Sequence, residues 1–111
     1  MRRTMFCVSI GLLGSLPAMA ASFDCSHAIY PDEKAICSSL PLNDMDVELS
    51  VKYHFLRGLL AMGAARELQD VQNVWLTKRQ KCTEDTRCIR EVYQRRLKEL
   101  DSLYESIDKP L

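Results

Sequence analysis

Glycine is scarce, at four residues in 111, and none of the four belongs to a glycine-rich phosphate loop. Almost no stretch alternates apolar and polar side chains with period two, which argues against β-strands. No internal repeat, low-complexity segment or second domain is visible. No excess of either charge exists, since 15 basic residues face 15 acidic ones. Nucleic-acid binding usually calls for a basic domain, and that partner is not expected. The two histidines, His27 and His54, stand alone, and Cys82 and Cys88 have five residues between them rather than two. This spacing fits neither paired zinc ligands nor a thioredoxin-like dithiol. Ser26 and His27 are adjacent but lie in an irregular lead-in with no surrounding motif, and a triad is defined by geometry rather than adjacency. Asp44, Asp46 and Glu48 alternate along a predicted helix, so the three together do not share one face. They read as acids favoured by a helix N-terminus. Catalytic residues, cofactors and metals are therefore not expected.

The chain opens MRRTMFCVSIGLLGSLPAMAAS. Two arginines, an apolar run from Met5 to Leu16, and small residues around Met19 are the order of a secretory signal peptide, cut after Ala20. The run falls short of the roughly 20 residues a membrane span needs. Cys7 lies ahead of the small-residue site and would leave with the leader. The expected product is periplasmic or secreted, not inserted in a membrane, and spans residues 21–111. Losing Arg2 and Arg3 from 15 basic residues leaves 13 against 15 acids, a net charge of −2. That mild balance suits a basic partner.

Cys25, Cys37, Cys82 and Cys88 remain, an even number in a small exported domain, which predicts a disulfide framework. Four cysteines allow three pairings. Proximity along the chain favours Cys25–Cys37 and Cys82–Cys88. Closing loops this short contributes roughly 2–3 kcal/mol each in the chain-entropy view.

The predicted fold is all-α: a small disulfide-stapled bundle of three main helices plus a short N-terminal helix. Tyr30-Pro31-Asp32-Glu33 starts the short helix, which runs to about Ser38 and is stopped by Leu40-Pro41. A longer helix begins near Leu42 with a stripe of Leu42, Met45, Leu49, Tyr53, Leu56 and Leu60. The break is expected in AMGAAR, residues 61–66, at Gly63. A third helix spans about Ala65 to Lys81, with Leu68, Val71 or Gln72, Trp75, Leu76 and Arg79 inward. A fourth starts near Asp85 or Thr86, carries Ile89, Val92, Tyr93, Leu97, Leu100, Leu103, Tyr104 and Ile107 inward, and ends at Asp108-Lys109-Pro110. Cys82–Cys88 would then clamp the turn between the last two helices.

Trp75, the single tryptophan, reads as a core indole with its N–H bonded to a neighbour. Gln72 and Arg79 lie one turn to either side, and Arg79 is placed to stack on the indole or to pair with Asp46. Lys78, Arg79, Lys81, Arg87, Arg90, Arg95 and Arg96 are interrupted by Glu84, Asp85, Glu91 and Glu99. This reads as a solvated mixed-charge face with pairs such as Glu91–Arg95.

The segment FDCSHAIYPDEKAIC (Phe23 to Cys37), the helix bearing Asp46 and Tyr53, the segment QNVWLTKRQKC and then Cys88 together resemble the LprI-like lysozyme-inhibitor family. The resemblance covers about residues 23–104. It marks Cys25, Cys37, Asp46, Tyr53, Gln72, Trp75, Arg79, Cys82, Cys88, Tyr93 and Arg96 as signature positions, as framework or as contacts. It implies a non-enzymatic exported module that binds and inhibits a lysozyme or another wall hydrolase. Candidate contacts would be the acids Asp44, Asp46 and Glu48 and the Glu84-Asp85 turn, taken as exposed. The alternative is a periplasmic adaptor or immunity module with no hydrolase target.

Overall fold

The computed structural model describes residues 21–108. The expected leader, residues 1–20 with Cys7 and the cleavage site, lies outside the described residues, as do Lys109 and Pro110. Four α-helices follow a single 3-10 turn at Cys25–His27: α1 (Pro31–Ser38), α2 (Leu40–Leu59), α3 (Met62–Lys81) and α4 (Thr86–Ser106). No strand occurs among the described residues, in keeping with the all-α expectation. The three long helices are each about 30 Å long at 1.5 Å per residue. Tight turns join them, so consecutive helices run antiparallel and α1 packs across α2, α3 and α4.

Helix ends account for most departures from the sequence reading. Pro41 does not stop a helix; it sits in the first turn of α2, behind the N-cap Ser39 whose Oγ accepts from Leu42 N–H. Proline is tolerated there because a first-turn N–H has no intrahelical acceptor to lose. The break after α2 comes at Leu60-Ala61, both extended, and Gly63 lies inside the first turn of α3. α4 starts at Thr86 as expected, and Asp85 caps it, its Oδ1 accepting from Arg87 N–H at 3.0 Å and Cys88 N–H at 3.2 Å. Between α3 and α4, Thr83 takes φ 54°. A β-branched residue in this left-handed region costs about 1–2 kcal/mol, and the Cys82–Cys88 disulfide spans that turn.

Both favoured disulfides are present: Cys25–Cys37 with a Cα separation of 5.9 Å and Cys82–Cys88 with 5.5 Å. The core gathers Ile36 from α1, Leu42, Leu49, Tyr53 and Leu56 from α2, Leu68 and Trp75 from α3, and Ile89, Tyr93, Leu97 and Leu100 from α4. Of the predicted inner positions of α3, Val71 is exposed and Gln72 half-buried. Among the described residues no helix is long and apolar enough to cross a membrane.

Candidate functional site: a buried charge cluster beneath a polar recess

Four of the signature residues meet inside the bundle. Arg79, on the last turn of α3, is 3% exposed, and its Nε donates to Asp32 Oδ2 at 2.6 Å. Its Nη1 donates to the Tyr93 hydroxyl at 3.2 Å and lies 3.9 Å from Asp46 Oδ1; its Nη2 lies 3.7 Å from Glu33 Oε2. Tyr93 passes the chain of bonds on, donating its hydroxyl to Asp46 Oδ1 at 2.6 Å. The other Asp46 oxygen accepts from the backbone N–H of Ser22. The guanidinium carbon sits 5.5 Å from the Phe23 ring centroid and 5.9 Å from that of Trp75. Trp75 meets Tyr93 edge-on at 4.9 Å and donates its indole N–H to the Val92 carbonyl at 3.1 Å.

Asp46 is therefore no surface contact. It is 2% exposed, and Leu42, Asp46, Leu49 and Tyr53 form one inward stripe at steps of four, three and four. Asp32 also faces inward, fully buried as the closest acid to Arg79, rather than serving only the α1 dipole. The sequence reading missed this partnership, because nothing local links positions 47 residues apart. Two basic residues likewise leave the expected solvated face, Arg79 and Arg96. Arg96 is 4% exposed; its Nε donates to Gln72 Oε1 at 2.9 Å and its Nη1 to Glu99 Oε1 at 3.0 Å. Glu91 lies 3.9 Å from Arg87 in place of the expected Arg95.

Burial, reinforced by the Asp46 carboxylate, holds the Tyr93 phenol far above its ordinary value of 10.0. Above that pH the unfolded chain releases the proton while the folded chain keeps it, so the native state binds more protons and stability falls as pH rises. Stability attributable to this group is complete below about pH 10 and declines by about 1.4 kcal/mol per pH unit above it. Urea unfolding at pH 9 and pH 11 should show a steeper loss for the native chain than for Tyr93→Phe, which lacks the titrating proton.

The Ser26–His27 pair makes no triad. Ser26 Oγ at 3.2 Å and Asp24 Oδ2 at 2.6 Å both approach the same imidazole nitrogen, Nδ1, whereas a triad needs acid and nucleophile on opposite nitrogens. The cluster caps the 3-10 turn, and the Ser26 and His27 contacts bring the exposed Asp24 carboxyl down to about 2. Among the described residues no group of three or more His, Cys, Asp or Glu side chains is placed to hold a metal ion.

Above the charge cluster, a recess of about 250 Å³ lies between α2 and α3. Asp46 and Tyr53 line it from α2, and Gln72, Trp75 and Arg79 line it from α3, so five of the positions marked by the resemblance face one recess. Tyr93 and Arg96 stand behind the lining, through Asp46 and Gln72 respectively.

The chain is 30% identical over 87 residues to Lipoprotein LprI of Mycobacterium bovis and of Mycobacterium tuberculosis, an alignment taking in 76% of this chain. The relationship to LprI is a distant one. This chain spans 43% of the LprI length, so activity belonging to the whole of LprI does not transfer with the likeness. No family model matches the sequence, and no solved structure matches it.

Proposed function

We propose that the chain is an exported, non-enzymatic module that binds a basic wall hydrolase of the lysozyme type and blocks its cleft. The leader would be cut after Ala20, leaving residues 21–111 as the working domain. The distant likeness to LprI, a lipoprotein by name, supports export, and the LprI-like motifs support the lysozyme target.

One surface carries the reading. Between α2 and α4 lies an apolar groove of about 380 Å³ lined by Val51, Phe55, Leu56, Leu100 and Tyr104, with Lys52 and Asp101 at its edge. Phe55 is 57% exposed and Val51 64% exposed, so two large apolar side chains stand in solvent on one face. Contiguous exposed apolar surface rimmed by polar groups marks an interaction site. Asp44 and Glu48 precede Val51 along the same side of α2, and Glu105 follows Asp101 on α4, all exposed. Lys52 is engaged by Glu48 at 2.8 Å and Asp101 at 2.7 Å, so the rim stays acidic. An aromatic anchor inside an acidic ring complements a cationic protein and speeds its encounter.

Purified residues 21–111 in molar excess should slow lysozyme at low salt, and less so at high salt. Undiminished turnover at low salt would remove the lysozyme reading. Phe55→Lys deletes the anchor and adds a positive charge to the acidic rim while leaving the core untouched. It should weaken inhibition about 30-fold, the size of a hot-spot loss, with an unchanged circular dichroism spectrum.

A further inference from the structure

The recess between α2 and α3 has a chemistry that the charge cluster below it does not explain. Gln69 Oε1 accepts from Arg57 Nη2 at 2.9 Å, and Gln72 Oε1 accepts from Arg96 Nε at 2.9 Å. A guanidinium only donates, so both amides are fixed with the oxygen toward arginine and the NH₂ left over. Among the described residues neither NH₂ nor the Tyr53 hydroxyl has a hydrogen-bond partner, and all three open into the recess although the Tyr53 side chain is otherwise packed, at 9% exposed. Ser50, His54 and Asn73 add further polar groups to the lining, and Trp75 adds an aromatic wall.

These groups select among ligand classes. Arg79 faces three carboxylates, Asp32, Asp46 and Glu33, so the floor carries a negative excess that disfavours an anion. Both Asp46 oxygens are already taken by donors, and the Gln69 and Gln72 oxygens by arginines, so the strongest acceptors of the recess are occupied against a cation. An apolar guest would strand the amides without partners. A neutral molecule that accepts several hydrogen bonds and offers a C–H face to an indole satisfies the set. At about 250 Å³ the recess is smaller than the 300–1,000 Å³ typical of drug-sized sites and suits one ring.

We propose that this recess is a binding site for a single neutral saccharide ring, held by the Gln69 and Gln72 amides and the Tyr53 hydroxyl against Trp75. The site is separate from the α2–α4 groove and stands whether or not a hydrolase is the partner. The test titrates residues 21–111 with glucose, galactose and N-acetylglucosamine, and with acetate and choline as an anion and a cation. Trp75 emission is one readout and NMR chemical shifts are the other. A saturable response to at least one sugar, confined to residues lining the recess, is the expected result. Tyr53→Phe and Gln69→Leu, both folded by circular dichroism, should each weaken that binding about fivefold, whereas Phe55→Lys should not change it. No saturable response to any sugar up to the solubility limit, or a response to acetate or choline alone, overturns the proposal. Binding that survives both recess variants unchanged overturns it as well.

Discussion

Replacing Arg79 with methionine is expected to destabilise the domain by about 3–5 kcal/mol, because it leaves buried acids without their cation. Arg79 is the shared partner of Asp32, Glu33, Asp46 and Tyr93, and both aspartates are almost inaccessible to water. Methionine fills similar space, so the loss reports charge rather than a cavity. Against a total stability of about 5–15 kcal/mol, the variant sits close to unfolding at physiological temperature. Urea unfolding followed by Trp75 fluorescence and by helical dichroism measures it. The signature that separates charge from packing is pH. An uncompensated buried carboxylate is relieved by taking up a proton, so the deficit should be smaller at pH 4 than at pH 7. Arg79→Lys keeps the charge but not the planar fork that reaches Asp32 and Tyr93 at once, and should fall between the two. A Met variant within about 1 kcal/mol of the native chain at pH 7 would mean that the cluster contributes little net stability, as exposed ion pairs do.

What the sequence disclosed and what it hid divide along the range of the interaction. The α4 stripe of Ile89, Tyr93, Leu97 and Leu100 was readable because its period is local and uninterrupted. Cysteine spacing pointed to both disulfides for the same reason. Trp75 was placed in the core with its N–H satisfied, though its acceptor, the Val92 carbonyl on another helix, was not foreseeable. The buried charges were read only in part: Arg79 was placed inward, but its partner Asp32 and the burial of Arg96 were not foreseen. Asp46 was read as a helix-start acid and a surface contact, although its pairing with Arg79 was also foreseen and is present at 3.9 Å, and Arg96 was read as part of a solvated mixed-charge face. The signal existed, since Asp46 keeps step with Leu42, Leu49 and Tyr53, and Arg96 is seven positions after Ile89 and three after Tyr93. Asp32 carried no such signal. Its role depends on α1 lying across the end of α3, a tertiary fact set partly by the Cys25–Cys37 bond. The recess was equally invisible, because it lies between two helices whose polar faces look individually solvated.

Removing the Cys25–Cys37 bond by a double serine substitution is expected to cost about 3 kcal/mol and to lower the melting temperature by about 12–24 °C for a domain of this size. The bond closes a separation of 12 residues, against 6 for Cys82–Cys88, and chain entropy alone ranks the first above the second, at about 3 against about 2 kcal/mol. Structure widens that gap. Cys82–Cys88 spans a turn already held by the Asp85 cap and by the packing of α3 on α4. Cys25–Cys37, by contrast, ties the irregular lead-in to α1, and that lead-in supplies the Ser22 N–H to Asp46 and the Phe23 ring to Arg79. Releasing it exposes the charge cluster to water as well as enlarging the unfolded ensemble. Hydrogen exchange should therefore quicken locally at Ser22 and Phe23 in the Cys25/Cys37 variant, with the α3–α4 turn unaffected. Thermal melts of the two double-serine variants, run side by side under non-reducing conditions, decide the ranking. A larger loss from opening Cys82–Cys88 would show that the turn, with Thr83 in its left-handed conformation, depends on covalent restraint more than the lead-in does.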